Sequence, residues 1–233
     1  MRRHLVLISF ALFTFAFFAG DAVAVGIDSL SNTEASSGLK EALIQGAGKA
    51  VSRLGAVDGF LGNDKVKIPL PESLQKAEKT MRMLGMGKQA DELVLKMNRA
   101  AEAAVPEAKA LLVDSVKKMS VTDAKNILTG GDDAATQYFR KTTSAPMTEK
   151  FMPLVTKAME DVKVAQQYNK FAKMGSKYGL VKKDQENLET YVTQKTLDGV
   201  YLMMAEEEKA IRKDPIGQAS GLIKKVFGAI GNR

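Results

Sequence analysis

Carboxylates are the side chains through which this sequence could do acid or base chemistry. The 233 residues contain one histidine, His4, and neither cysteine nor tryptophan. Because His4 lies in a segment with the features of an export signal, described below, the mature chain has no imidazole and no thiol. Histidine-activated nucleophiles, zinc sites built on His or Cys, iron–sulfur clusters and disulfides are thereby excluded. Carboxylates, Lys, Tyr, Ser and Thr remain.

Glu207 occupies the most informative position among the carboxylates. It follows Val200 and Met204 at the spacing of one helix face, which places it toward the core, whereas Glu206 and Glu208 are predicted to point elsewhere. An ionised carboxylate that is buried without a partner is costly. We expect Glu207 to form an ion pair between two helices, and we leave open a functional acid or a side chain that reaches solvent.

The predicted partner of Glu207 is Arg140 or Arg53, because a buried carboxylate needs a cation within reach. Glu102, Asp123 and Asp198 complete the candidates for acid–base catalysis. Glycoside hydrolysis would need two such carboxylates on either side of the bond that breaks. No local spacing places two of them together, and a chain without tryptophan has few surfaces on which a sugar can stack.

A polar cluster is predicted on the helix that contains Glu102. Asn98 and Arg99 precede Glu102 by four and three residues, which is the spacing of neighbours on a helix surface. At 100° per residue, Asn98 and Glu102 fall about 100° and 140° from Met97, the centre of the apolar stripe. We therefore place them at the edge of the stripe, in surface or inter-helix pairing, with a polar pocket wall as the alternative.

The sequence GGDD at 130–133 is a glycine turn followed by two carboxylates. We interpret Asp132 or Asp133 as the N-cap of the next helix. An anion site at the helix N-terminus is one alternative, although the carboxylates would repel an anion. A hard cation such as Ca²⁺ is another, with Asp123 as a third ligand, but the spacing is not that of an EF-hand. We predict neither a metal site nor a cofactor.

A basic segment lies between Asp161 and Asp184, where six lysines occur without an acid and Tyr168, Phe171 and Tyr178 are interleaved. Such a segment can bind an anionic surface such as phospholipid head groups or lipopolysaccharide. The alternative is a solvated face whose aromatic side chains turn inward. The six residues, here called the basic segment lysines, are Lys163, Lys170, Lys173, Lys177, Lys182 and Lys183.

The N-terminus has the three parts of a cleaved export signal. Arg2 and Arg3 are followed by an apolar run of 14 residues, Leu5 to Phe18, and by Ala22-Val23-Ala24. Since a bilayer span needs about 20 apolar residues, cleavage after Ala24 is favoured over a membrane anchor. We predict a periplasmic protein, with secretion as the alternative, and no transmembrane span in the mature chain.

Helical periodicity dominates the rest of the sequence, and strand-like alternation is nearly absent. We predict an all-α fold: a flexible leader at 25–37 and one compact bundle of eight or nine helices at 38–233. The predicted helices are 38–55, 72–84, two helices or one kinked helix around Pro106, 120–128 capped by Ser120 or Thr122, 133–142, 144–174, 184–213 capped by Asp184, and 215–228.

Several phrases occur together in a fixed order: GLKEAL at 38–43, DGFLGNDKVKIPLP at 58–71, MNRAAEAA at 97–104, DAKNIL at 123–128, GGDDAATQYFRKTT at 130–143, YVTQKTLDGVYLMMAEEEKAIRKDP at 191–215 and IKKVFG at 223–228. In that order the chain resembles the family of exported bacterial proteins catalogued as domain of unknown function 4197. The resemblance covers essentially the whole mature chain. It implies a helical, exported protein and no particular activity, ligand or catalytic residue.

The sequence favours a non-enzymatic protein that binds or scaffolds at the cell envelope. Its formal net charge is +7, and the basic segment is the clearest local excess. The expected partner is an anionic envelope surface or an envelope protein, and nucleic acid is not expected in this compartment. Two alternatives stay open: a carboxylate-based enzyme or divalent-cation site, and a carrier of an apolar ligand, indicated by the many adaptable Met side chains.

The segment 216–230 is expected to pack on the core, with membrane-surface binding as its alternative.

Overall fold

The computed structural model describes residues 32–83, 85, 87–163, 165–169, 173, 182, 185, 187–214, 221, 224 and 226. Within these residues the fold is all-α, as predicted, and no strand occurs. The helices are α1 (Asn32–Leu54), α2 (Glu72–Met83), α3 (Gly87–Ala104), α4 (Ala108–Lys118), α5 (Val121–Thr129), α6 (Ala134–Met159) and α7 (Leu188–Lys213). The described part of the chain thus has seven α-helices where the sequence indicated eight or nine. The signal segment and most of 215–228 lie outside it.

The first helix begins before its predicted start. α1 starts at Asn32 rather than at about residue 38, and Ser36 and Leu39 in its first half are already buried. The part of the predicted leader from 32 to 37 is therefore helical, while 25–31 lies outside the described residues. Of the two serines in this part, Ser36 is buried and Ser37 is exposed, so small residues here belong to a helix with one buried side.

The two-helix interpretation around Pro106 is confirmed. A 3₁₀ turn, Val105–Glu107, separates α3 from α4, and Pro106 lies in its first positions. Proline has no N–H to donate and clashes with the preceding turn of an α-helix, so the chain changes direction here. Val105 is fully buried, which fixes the turn against the core.

The predicted break near residue 143 does not occur, because α6 continues from Ala134 to Met159 through Pro146 and Pro153. Phe139, Thr143, Met147, Phe151 and Val155 recur every four residues along α6 and are all buried. Each large apolar side chain that is buried contributes about 1.5 to 3 kcal/mol. This continuous packing outweighs the cost of the prolines. The helix also ends at Met159, well before the predicted end at 174.

The central element is α7, which packs against α6, α1 and α3. It begins at Leu188 after Asn187, whose side chain accepts a hydrogen bond from the N–H of Thr190 (2.6 Å). The predicted cap, Asp184, lies outside the described residues. Because α7 has neighbours on several sides, it is buried over a wide arc that includes Val200 and Tyr201. None of the helices in the described ranges is long and apolar enough to cross a membrane.

The irregular segment 55–71, here called the α1–α2 loop, is packed on the core. Phe60, Ile68 and Leu70 are each at most 4% exposed. The ring of Phe60 lies against Gly199 on α7, where an added Cβ would be 2.7 Å from Cε1 of the ring. Glycine at 199 is thus required by close contact, and this contact joins the loop to the central helix.

We predict that Gly199→Ala lowers the free energy of unfolding by about 1 to 3 kcal/mol, because the new methyl group displaces the Phe60 ring from a packed site. The measurement is urea denaturation followed by circular dichroism. Gly48→Ala is the matched control. Gly48 is inside α1 and a Cβ there meets nothing within 4 Å, so this variant should gain about 0.5 to 1 kcal/mol. Equal effects of the two substitutions would contradict the packing argument.

Candidate functional site

The predicted ion pair of Glu207 is confirmed, with Arg53 as its partner. The Arg53 guanidinium on α1 lies 3.2 Å from the Glu207 carboxylate on α7. The side chain of Glu207 is 14% exposed and that of Arg53 is 63% exposed, so the pair lies at the border of the α1–α7 contact. The pair therefore joins α1 to α7, as we expected for Glu207.

The prediction that Glu208 points away from the core was wrong. Glu208 is 7% exposed as a residue and lies on the side of α7 that faces α6. The apolar spacing indicated one buried face, centred on Glu207, but α7 is covered on two sides. Glu208 is the carboxylate that the structure buries most effectively at the C-terminal end of α7.

Glu208 caps the start of α6 from a distant part of the chain. Its Oε1 accepts a hydrogen bond from the N–H of Ala135 (3.0 Å). Its Oε2 accepts from the N–H of Thr136 (2.9 Å) and from the Thr136 hydroxyl (2.9 Å). The first N–H groups of a helix have no partner within the helix, and the helix dipole favours negative charge there. The buried carboxylate meets both requirements.

Arg212, one turn further along α7, binds the C-terminal end of α5. Its guanidinium lies 2.9 Å from Glu208 and also donates to the carbonyl oxygen of Ile127 in the last turn of α5 (2.9 Å). A cation at a helix C-terminus complements the dipole. Glu208 and Arg212, here called the α7 pair, thus bind the end of α5 and the start of α6, on either side of the 130–133 turn.

The 130–133 turn is therefore structural. Asp133 occupies the predicted N-cap position, but its side chain makes no capping hydrogen bond and instead accepts from Gln137 Nε2 (2.9 Å). The site at the helix N-terminus does hold an anion, which is the internal carboxylate of Glu208. An external anion would have to displace it.

The prediction that Asn98 and Glu102 lie at the edge of the apolar stripe was wrong. Asn98 is fully buried and Glu102 is 5% exposed, because the α1–α2 loop covers this side of α3. Glu102 Oε1 accepts from the N–H groups of Phe60 (3.0 Å) and Leu61 (3.2 Å). The predicted pairing within the cluster is present, since Arg99 binds Glu102 at 2.5 Å.

Asn98 holds the second half of the same loop. Its Oδ1 accepts from the N–H of Ile68 (2.8 Å), and its Nδ2 donates to the carbonyl of Ile68 (2.9 Å). Arg99 adds an exposed ion pair to Asp58 (2.7 Å), a residue with a positive φ of 66°. Side chains of α3 therefore satisfy backbone groups of the loop that would otherwise be buried without partners.

Asp123 forms a capping box with Ser120, which confirms Ser120 as the cap of α5; Thr122 lies inside the helix. The hydroxyl and the N–H of Ser120 both donate to the Asp123 carboxylate (2.7 and 3.0 Å). These hydrogen bonds from Ser120 lower the pKa of Asp123 below its usual value of 3.8. Its carboxyl group is therefore ionised at neutral pH and is a poor proton donor.

Asp198 lies on the surface of α7, where it accepts from Gln194 Nε2 (3.1 Å) and lies 3.8 Å from the Arg140 guanidinium. Each of the four candidate carboxylates has its own structural partner, and no contact in the described ranges joins two of them. The described residues likewise contain no group of three or more His, Cys, Asp or Glu side chains that could hold a metal ion.

Narrow internal spaces and open grooves occur among the described residues. Two spaces beside Glu208 have volumes of about 20 and 10 Å³, which is room for about one water molecule each. A groove of about 780 Å³ between the α1–α2 loop, α2 and α3 has Leu70, Val94 and Leu95 in its wall. Arg82 at its rim is already paired with Glu78 and Asp91.

The basic segment is described in part. Lys163, Lys173 and Lys182 are exposed to solvent. Three other lysines and two aromatic residues of the prediction lie outside the described residues: Lys170, Lys177, Lys183, Phe171 and Tyr178. Tyr168 is 6% exposed and turned toward the core, which agrees with the alternative of inward-turned aromatic side chains.

Further along the chain, Val226 is 1% exposed and Lys224 is exposed. These two positions have the alternation expected of a segment that packs on the core. The rest of 216–230 lies outside the described residues apart from residue 221.

Sequence reasoning missed the α7 pair. The available signal was the i, i+4 spacing of Glu208 and Arg212, which is a favourable ion-pair spacing on a helix. The spacing cannot show that the pair is buried, or that it meets two helix ends, since both depend on where α5 and α6 pack.

The fold and these contacts define an all-helical bundle whose buried carboxylates terminate helices and hold a loop. A family model described as "Protein of unknown function (DUF4197)" matches residues 29–228, and the chain belongs to this family. No curated protein matches the chain, and no solved structure does.

We predict that Glu208→Gln lowers the free energy of unfolding by about 3 kcal/mol, because it removes the buried ion pair with Arg212 and the negative charge at the start of α6. Glu207→Gln is the matched control and should cost less than about 1 kcal/mol, since Arg53 is exposed and its charge stays hydrated. Urea denaturation at neutral pH measures both. A larger loss for Glu207→Gln than for Glu208→Gln would show that the buried carboxylate has been misidentified.

Asp123 should contribute to the acid sensitivity of the fold. Because its pKa is lowered in the folded state, its stabilising contribution is present above the unfolded pKa and is lost as the pH falls through the folded value. Between about pH 5 and about pH 2, Asp123→Asn should therefore lose less stability than the unmodified protein. Denaturation at each pH checks this, with Asp132→Asn as the control. A full acid-induced loss in Asp123→Asn would contradict the assignment.

Proposed function

We propose that this protein is exported to the periplasm and binds anionic membrane surfaces of the cell envelope there, without catalysis, through the basic segment lysines. The observation that supports this most directly is the exposure of Lys163, Lys173 and Lys182 in a segment without acids. The proposal of export is based on the features of an export signal in residues 1–24. Secretion is the alternative destination, and an envelope protein is the alternative partner.

The contacts of the candidate carboxylates favour binding over catalysis. Glu207 joins two helices, Glu102 holds the α1–α2 loop and Asp123 caps α5. A general acid or base must be within reach of a substrate proton. A carboxylate that makes a structural hydrogen bond or ion pair would have to break that contact before it could act on a substrate. By contrast, the three described lysines of the basic segment, Lys163, Lys173 and Lys182, are exposed to solvent.

Attraction between lysines and anionic head groups is electrostatic. Each lysine near an anionic membrane contributes about 1 kcal/mol, and the effect decays within the Debye length of about 8 Å at physiological salt. Because Tyr168 is turned inward, its ring is not available to insert into the membrane. Binding should therefore be reversible and strongly dependent on salt.

The test is co-sedimentation of the exported, processed protein with vesicles that contain phosphatidylglycerol, over a series of salt concentrations. Phosphatidylcholine vesicles and isolated cell-wall sacculi are the comparison surfaces. We expect binding to phosphatidylglycerol at low salt and its loss at high salt. No binding to phosphatidylglycerol vesicles at any salt, or binding to sacculi alone, would overturn the proposal.

Replacement of Lys163, Lys173 and Lys182 together by Gln should weaken vesicle binding roughly 100-fold, since three contributions of about 1 kcal/mol are removed. The matched control replaces three exposed lysines of α4 and α5 by Gln. It has the same change in net charge and uses Lys109, Lys117 and Lys125. Equal losses in the two variants would show that net charge, rather than the basic segment, determines binding.

A further inference from the structure

Tyr168 connects three parts of the chain through one hydroxyl group. The hydroxyl donates to the carbonyl oxygen of Gln185 (2.8 Å). It also lies 3.2 Å from the hydroxyl of Ser73 in the first turn of α2. Because the Tyr168 proton is directed at Gln185, Ser73 is the donor in the second bond. The ring itself is buried, at 6% exposure, so the hydroxyl is held in place by packing.

Asn169 attaches the same stretch to the start of α7. Its Nδ2 donates to both carboxylate oxygens of Glu189 (3.0 and 2.8 Å). Its Oδ1 accepts from the N–H of Leu188 (2.8 Å), the first residue of α7. That N–H has no partner within the helix, so the Asn169 side chain acts as a cap from outside the helix. Leu188 is fully buried, which makes this attachment rigid.

Two exposed lysines, Lys163 and Lys182, lie close in the chain to groups that take part in these hydrogen bonds. Lys163 is helical, and so are residues 165–169, which include Tyr168. The carbonyl of Lys182 accepts from the N–H of Gln185 (2.9 Å), whose own carbonyl is bound by Tyr168. The Lys182 ammonium is 3.9 Å from the Glu72 carboxylate, but both side chains are mostly exposed. A pair of this kind is weak and leaves the lysine available to a stronger anion.

Pre-organisation affects binding separately from charge. Segments and side chains that must be ordered on association reduce the affinity, and a protein that holds them in place beforehand avoids much of that cost. If Lys163 and Lys182 are held by the partly buried hydrogen bonds of Tyr168 and Asn169, both can contact an anionic surface at once. Loss of these bonds should leave the number of charges unchanged and reduce the number that bind together.

We propose that Tyr168 and Asn169 are positioning residues, which orient Lys163 and Lys182 for simultaneous contact with the head groups of an anionic phospholipid membrane. The inference rests on the proposed function. It goes beyond that function by assigning part of the binding strength to two uncharged, largely buried side chains. These residues hold the lysines and do not themselves touch the membrane.

The experiment compares Tyr168→Phe and Asn169→Ala with the unmodified protein in binding to phosphatidylglycerol vesicles over a salt series. Neither substitution changes the net charge, and Tyr168→Phe retains the packed ring. Each variant should bind roughly three- to tenfold more weakly. Its affinity should also fall less steeply with salt, because fewer lysines engage together.

Tyr201→Phe is the matched control. Tyr201 is another buried tyrosine, 1% exposed, and its hydroxyl bonds to Thr143 (2.8 Å) on α6 rather than to the stretch around Lys163. It should lower the melting temperature to a similar extent while leaving vesicle affinity and its salt dependence unchanged. Hydrogen exchange at Leu188 should accelerate in Asn169→Ala and not in Tyr201→Phe.

The outcomes separate the two proposals. Unchanged affinity and salt dependence in Tyr168→Phe, while the unmodified protein binds, would overturn the positioning role and leave the proposed function intact. Equal weakening by Tyr201→Phe would overturn it as well, since global stability would then explain the loss. Absence of binding by the unmodified protein would overturn both proposals.

Discussion

The fold depends most on the buried ion pair between Glu208 and Arg212. One turn of α7 supplies an anion to the N-terminus of α6 and a cation to the C-terminus of α5. Both helix ends are thereby satisfied by largely buried protein groups, and each charge is opposite in sign to the end of the helix dipole that it meets. The α7 pair also neutralises itself, which makes the burial of two charges tolerable. The short 130–133 turn can reverse the chain because its two flanking helices are held in this way.

A second set of buried polar groups plays the same part for the α1–α2 loop. This loop has no regular hydrogen bonding, yet Phe60 and Ile68 within it are fully buried. Glu102 and Asn98 on α3 accept from their backbone N–H groups, and Gly199 on α7 leaves room for the Phe60 ring. The buried carboxylates of this protein therefore bind its own backbone. This use of acidic groups for architecture, together with the exposed lysines, is why we propose surface binding rather than catalysis.

Much of the fold was predictable because helical periodicity and capping are local. The all-α class follows from spacing. Spacing and side-chain chemistry also reduced three features to two alternatives each, and the structure has one of each: two helices around Pro106, Ser120 as the cap of α5, and Arg53 as the partner of Glu207. The family was also predictable, since its ordered phrases run through most of the chain. Local rules failed in α6, where packing against α7 maintains one helix through two prolines. Local rules also failed at the start of α1, where the small residues that indicated a flexible leader belong to a helix from Asn32 onward.

The sequence by itself determined which chemistry is available: carboxylates and lysines on amphipathic helices, with one imidazole, that of His4, and no thiol. Only the tertiary structure decided which carboxylates are buried. Residue spacing along one helix defines a direction but does not show how many neighbours cover that helix. Glu208 is buried because α6 covers a second side of α7, and Asn98 and Glu102 are buried because a loop covers the edge of α3. Their partners on other elements of the fold are 30 or more residues away in the chain, as with Asn98 and Ile68 at a separation of 30, and no local pattern specifies such contacts.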